Sequence, residues 1–255
     1  MNILHINSYY STSYFYKNFT DLLNNKRYNS NVHIPVSYSF RESDFNYGNY
    51  SKLSKCYKQH DRYIFHLKHY KILKDVKNRY DMGKFDIIHA HSLFSNGYIA
   101  YRLNQMYDIP YIVAIRNTDV NIFFKKMIHL RPLGNKLLKN AKNIIFISES
   151  YKNQVLDYYV KRHLVESVKE KSVVIPNGIE QFWFDNLNNP KENPKDVIRL
   201  LQVGDINKNK NIVTTLKAVD VLNKKGIKCT LTAIGNIKNR IVFDQIKDNK
   251  YLTYI

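Results

Sequence analysis

Apolar residues in this chain come in short unbroken runs, and between the runs they recur every three or four positions. The first run, residues 3–7 (ILHIN), has the character of a buried strand. After a polar turn, Phe15, Phe19, Leu22 and Leu23 fall at helical spacing. Residues 32–38 (VHIPVSY) alternate as a strand does, and Pro35, which has no N–H to give a ladder, suggests a sheet edge. Residues 41–62 are polar and are expected to form a long loop or irregular segment. A helix is expected over 63–80, with Phe65, Ile72, Val76 and Tyr80 near one face. The run 85–90 (FDIIHA) is a strand and 99–107 a helix. Residues 111–115 (YIVAI) and 143–148 (NIIFIS) are strands with helical material between them, and 172–178 (SVVIPNG) is a strand and turn.

Strands this apolar, separated by helices, imply a parallel sheet covered on both faces. Residues 185–196 (DNLNNPKENPKD) are polar, carry two prolines and have the composition of a linker. The alternation then restarts. A strand at 197–203 leads through the loop GDINKNKN into a helix over 212–224, a strand at 229–235, a further helix and a last strand, YLTYI. The expected fold class is therefore α/β with two doubly wound parallel-sheet domains. The first covers 1–184 and the second begins at 197. Three strands in the second fall short of the roughly five or six usual for such a sheet, which suggests that 197–255 is the first part of an incomplete domain.

Composition narrows the class. Of 255 residues 44% are hydrophobic, enough for a core, but no run approaches the ~18–20 residues of a membrane-spanning helix. The start, MNILHINSYY, lacks the basic and apolar regions of a secretory signal. Cys56 and Cys229 lie far apart and suggest neither a disulfide framework nor a zinc site, so a reducing cytoplasm is the simplest location. Forty Lys and Arg against twenty-one Asp and Glu give a net charge of +19. That surplus suits a polyanionic partner, or it reflects a composition rich in Lys, Asn, Ile and Tyr. The segment 52–84 has ten Lys or Arg against three Asp, interleaved with Tyr57, Tyr63, Phe65 and Tyr70. It is expected to dock on an anionic membrane surface. No nucleic-acid-reading motif accompanies the charge.

Ligands of parallel α/β sheets bind at the carboxyl ends of the strands, so the loops there are the candidates. The loop NSYYSTS (7–13) has no glycine and hence no dinucleotide fingerprint; Ser11, Thr12 or Ser13 either caps a helix or offers hydroxyls to an anion. The loops HSLFSNG, RNTD, SES and PNGIE place His91, Arg116, Asn117, Asp119, Glu149, Asn177 and Glu180 at one sheet edge. Each has a plainer alternative. Asn177-Gly178 is a common turn pair, Arg116 and Asp119 can pair with each other, and Ser148-Glu149 starts a helix in many proteins. Lys208 and Lys210 precede a helix N-terminus, either as a diphosphate seat or as a solvated lysine loop. His89 and His91 point the same way from a strand, which raises a metal pair. A stable site needs three or four ligands and no nearby motif supplies the rest, so no metal is expected. His89 is then a packed residue and His91, one step past the strand in a cleft loop, the functional candidate, whose loss should open no core cavity.

The segments FDIIHAHSLFSNGYIAY, NIIFISES, VVIPNGIE and LLQVGDINKNKNIVTTLKAV occur together, in order, and resemble the family-four retaining glycosyltransferases of the GT-B fold. The resemblance covers nearly all of this chain and about the front two-thirds of a family member. It implies an acceptor-side N-terminal domain, a nucleotide-sugar-binding C-terminal domain and a reaction in the cleft between them without a metal cofactor. It implies His91 as the residue near the reacting centre of the donor sugar, the turn Pro176-Asn177-Gly178 as the lead into the interdomain linker, and Gly204 with Lys210 beside the donor diphosphate. Asp205 stands where the family usually has a basic residue, for which Lys208 compensates, and Ser11–Ser13 replace the family's glycine pair. A glutamate pair that the family uses for the nucleotide and sugar has no counterpart here. The implied function is transfer of a sugar, with retention, from a nucleotide-sugar to a lipid-linked or surface-polysaccharide acceptor, by a cytoplasmic enzyme docked on the inner membrane face. A fragment or one half of a split enzyme, without activity alone, is the alternative, and a basic nucleic-acid-binding protein the third.

Overall fold

The computed structural model describes residues 1–12, 14–42, 44–187 and 197–255. The chain divides into two compact units, Met1–Glu180 and Gln181–Ile255. Most of the expected linker, residues 188–196, lies outside the described residues, as does Ser13.

The first unit is a seven-stranded parallel sheet in the order β3-β2-β1-β4-β5-β6-β7. Its strands are β1 (Asn2–Ile6), β2 (Asn29–Ser37), β3 (Ser51–Tyr57), β4 (Ile87–Ala90), β5 (Tyr111–Ile115), β6 (Asn143–Phe146) and β7 (Ser172–Val174). The main connecting helices are α1 (Tyr14–Asn25), α2 (Phe65–Arg79), α3 (Gly97–Tyr107), α4 (Arg131–Asn140), α5 (Glu149–Tyr158) and α6 (Val165–Glu170). Burial explains the choice of strand over helix for the apolar runs. Leu4, Ile6, Ile88, Ala90, Val113, Ile115, Ile144 and Phe146 all lie in one hydrophobic cluster beneath the helices. The chain runs outward from β1 to β3, then returns and builds from β4 to β7. The junction of β1 and β4 is therefore the point where the strand order reverses, the usual ligand crevice of such sheets.

Two expectations fail here for one reason. Residues 41–62 are not one loop, because Ser51–Tyr57 (SKLSKCY) pairs with β2 as the edge strand β3. Its lysines point to solvent, as suits an edge. Once β3 is in place, β2 is internal and Pro35 does not mark an edge. The Val32 N–H goes to Tyr50 on the β3 side, so by alternation the Pro35 nitrogen faces β1. The β1 ladder ends there, with Asn7 N–H donating to the His33 carbonyl at 3.0 Å, so the missing donor costs no bond.

The second unit begins with α7 (Gln181–Asp185) and contains a parallel sheet, β10-β9-β8, formed by β8 (Ile198–Val203), β9 (Cys229–Ile234) and β10 (Leu252–Tyr254), with α8 (Ile212–Lys224) and α9 (Arg240–Asp244) between them. Its core gathers Ile206, Ile212, Leu216, Val219, Leu231 and Ala233. Both units are α/β with parallel sheets, as the alternation of runs implies. No helix among the described residues is long and apolar enough to cross a membrane.

Candidate functional site

Each unit carries a cluster at the carboxyl ends of its strands. In the first, β1 and β4 pair in register, with His5 opposite His89. Partners in register share a face of the sheet, and His91 lies two positions beyond His89 on that face. The three imidazoles meet: His5 Nδ1 and His91 Nε2 are 3.1 Å apart, and the rings of His89 and His91 stack at 4.1 Å. Phe19 of α1 packs edge-on against all three, and Tyr16 against His91. His91 is 3% exposed and enclosed by rings, so its loss would open a cavity, contrary to the expectation for a cleft-loop residue. Burial, with the neighbouring His89, His5 and Arg116, holds its pKa well below the ordinary value. Burial likewise lowers His89 to about 4 and His5 well below its usual range. All three are neutral at physiological pH.

Arg116, at the end of β5, ties this cluster to the rest of the edge. Its Nε donates to the His91 carbonyl at 3.4 Å and its Nη1 to Asn177 Oδ1 at 2.7 Å. The guanidinium lies 5.8 Å from the ring centres of both Phe15 and Tyr16. Asp119 organises the two loops from beneath. At 1% exposure it accepts from the backbone N–H groups of Leu93, Phe94 and Arg116 at 2.9–3.0 Å. It meets Arg116 through the Arg116 backbone, and both of its oxygens are committed to backbone donors. Burial pushes its pKa up to about 6 against those three bonds and the Arg116 charge.

Ser11 is half-buried in a 3-10 turn, Tyr10–Thr12, just after β1. Glu149 is the first residue of α5, solvent-facing and 3.7 Å from Lys152, while Ser148 caps the helix by accepting from Tyr151 N–H at 3.3 Å. Asn117, Asn177, Gly178 and Glu180 are exposed, and Glu180 accepts from Asn18 at 3.2 Å. In the second unit, Gly204 follows β8 at φ +146, with the Lys210 chain crossing its open face. Lys208 and Lys210 form an exposed 3-10 turn capped by Asn207 and leading into α8.

The sequence reading missed His5, Tyr16, Asn96 and Gly235. Asn96 is buried and holds the loop after β1 by accepting from Ser8 N–H at 3.2 Å. Gly235, at φ +149, lies against Gly204, and a Cβ there would meet the Gly204 carbonyl oxygen at 2.3 Å. Its signal was legible, since a glycine follows Val203 at the end of β8 and Ile234 at the end of β9 in the same way. His5 had no signal without the pairing of β1 with β4.

The family model for glycosyltransferase family 4 matches residues 20–181. The chain belongs to that family. A curated relative, an uncharacterised glycosyltransferase MJ1178 of Methanocaldococcus jannaschii, is 28% identical over 123 residues, 46% of this chain and 32% of its own length. Among solved structures, Anabaena HepE in complex with UDP and glucose aligns with 100% of this chain and 69% of its own at TM-score 0.65 and 12% identity. An Escherichia coli trehalose-6-phosphate structure bound with UDP-2-fluoro glucose gives 0.65 at 11% identity, over 100% of this chain and 73% of its own. The catalytic domain of Arabidopsis thaliana starch synthase IV, bound to ADP and acarbose, gives 0.59 at 10% identity, over 100% and 74%. These likenesses establish the GT-B fold for a family-4 chain that spans under a third of its curated relative.

Proposed function

We propose that this family-4 chain serves a retaining sugar transfer from a nucleotide-sugar to a lipid-linked or surface-polysaccharide acceptor. The observation that carries this reading is Arg116 fixed between the His91 carbonyl and Asn177, over two aromatic rings, at the strand-order reversal of the first sheet. A guanidinium and neutral imidazole beside aromatic faces suit a polar sugar with an anionic leaving group.

His91 is neutral, so its contribution is a hydrogen bond to a sugar hydroxyl and not a proton delivered to the leaving group. Its Nε2 faces His5, which leaves Nδ1 for that bond. In the second unit, Lys208 and Lys210 at the start of α8 are suited to the departing diphosphate. Fixed dipoles would stabilise positive charge developing on the sugar. The reading requires no metal for transfer and no carboxylate as strong base. The basic segment 52–84 supports a site of action at an anionic inner membrane surface.

The test is a transfer assay of the protein with a panel of UDP-, GDP- and ADP-sugars and glycolipid acceptors, following released nucleotide and the anomeric configuration of the product. One donor is expected to be consumed with retention by the wild type and far more slowly by Arg116→Ala. Consumption unaffected by that substitution, or an inverted product, overturns the proposal.

A further inference from the structure

The histidine cluster offers more than a sugar contact. His5, His89 and His91 each present a ring nitrogen within 4.8 Å of the other two. We propose that these three residues form a binding site for one borderline divalent transition ion, such as zinc, cobalt(II) or nickel(II), at the junction of β1 and β4.

The geometry is close to what such an ion takes. Zinc–imidazole bonds of about 2.0–2.1 Å in a tetrahedral arrangement place ligand nitrogens roughly 3.3 Å apart. His5 Nδ1 and His91 Nε2 already stand 3.1 Å apart. The His5 ring centre is 5.3 Å from those of both His89 and His91. The His89–His91 pair, stacked at 4.1 Å, must splay slightly to aim both nitrogens inward. Without an ion, a single shared proton joins His5 to His91. With one, both facing nitrogens turn their lone pairs to the metal and each ring keeps its proton on the other nitrogen, so no charged group has to form.

A second observation points to the same ligand. Nε2 of His89 is buried with no hydrogen-bond partner. Buried polar atoms are rarely left unanswered, and three imidazoles packed only as core would be a costly choice where apolar rings fit as well. Imidazole is a ligand for which zinc, cobalt and nickel compete well and magnesium and calcium do not, which fixes the chemical class. Three protein ligands leave one position for water. The facing cation, Arg116, opposes a dication, but its guanidinium is held by the His91 carbonyl and Asn177. From the other packed elements Tyr16 and Phe19 supply uncharged rings.

The test starts from chelator-treated protein titrated with cobalt(II) and with zinc. Calorimetry should give one equivalent, and cobalt should develop the visible band of a four-coordinate, nitrogen-ligated ion. His5→Gln and His89→Gln should each abolish both, whereas His60→Gln, at an exposed site, should change neither. Absence of stoichiometric binding, or binding retained in both cluster variants, overturns the inference. If both variants unfold, the zinc-induced shifts of the His5, His89 and His91 imidazole resonances in the wild type decide, and unmoved resonances count against it. Binding without sugar transfer leaves this site standing and tells against the proposed function. Transfer that runs with no binding does the reverse.

Discussion

Arg116 Nη1 donates to Asn177 Oδ1 at 2.7 Å and so joins the loop after β5 to the loop after β7. Its Nε reaches back to the His91 carbonyl, after β4. One planar fork therefore spans three loops from strands far apart in sequence. A lysine keeps the charge but cannot hold two directions at once. Arg116→Lys should lower kcat/KM for the donor by about ten- to a hundredfold, the equivalent of roughly 1.5–3 kcal/mol for a charged hydrogen bond. Asn177→Ala should give a smaller loss. Steady-state kinetics with both variants checks this, and wild-type kinetics for Arg116→Lys would remove the fork from the mechanism.

His91→Ala should lose sugar transfer and also destabilise the protein. The ring is enclosed by His5, His89, Tyr16 and Phe19, so truncation opens a cavity, at a cost of roughly 1–3 kcal/mol. Denaturant midpoints beside turnover measurements separate the two effects. A variant as stable as the wild type would mean that the site collapses onto the gap, and one with unchanged turnover would exclude His91 from the reaction.

Asp119 gives a pH signature. Burial raises its pKa from the ordinary 3.8 to about 6, so the folded state favours the protonated form. The stability it contributes is complete below about pH 4 and falls as pH rises through about 6, the reverse of a salt-bridged carboxylate. Carboxyl-carbon NMR should place its midpoint near 6, and the stability difference between wild type and Asp119→Asn should vary between pH 4 and 6 and level off above. A midpoint at or below 4 would show that the three backbone donors outweigh burial.

Anionic liposomes should carry the protein upward in flotation, and neutral ones should not. Of the four interleaved aromatics, Tyr63 is 85% exposed and Tyr70 62%, and Ile64 and Leu67 are exposed beside them. Phe65 instead packs against His69, Tyr98 and Phe123, and Tyr57 lies against the core. Lys74, Lys77 and Arg102 line a cavity of about 540 Å³ between α2 and α3, together with Tyr70 and Tyr98. Reversing Lys74 and Lys77 to Glu should abolish flotation, because each basic residue near an anionic leaflet contributes ~1 kcal/mol. Equal flotation with neutral lipid, or none with either, defeats the idea.

The chain's own pattern determined the alternation of strands and helices, the parallel sheets and the loops that carry polar residues. Those properties depend on neighbours a few positions apart, and short apolar runs such as YIVAI can bury both faces only inside a sheet. It also singled out Arg116 and His91 as candidates, because each follows a strand directly, and Lys210, because it precedes a helix. What it did not determine is which strands lie side by side. Ser51–Tyr57 shows nothing apolar enough to announce a strand, yet β2 offers it an open ladder, and that pairing makes the Pro35 strand internal. His5 sits 86 residues from His91, and only the pairing of β1 with β4 brings their rings within 3.1 Å. Asp119 looked like a ligand-facing carboxylate. Tertiary packing turned it beneath the loops, where three backbone N–H groups claim it. Local sequence sets the elements through short-range burial and turn chemistry. Strand order, and with it the composition of the site, is decided by long-range pairing, whose energy is spread over the whole sheet and written in no single segment.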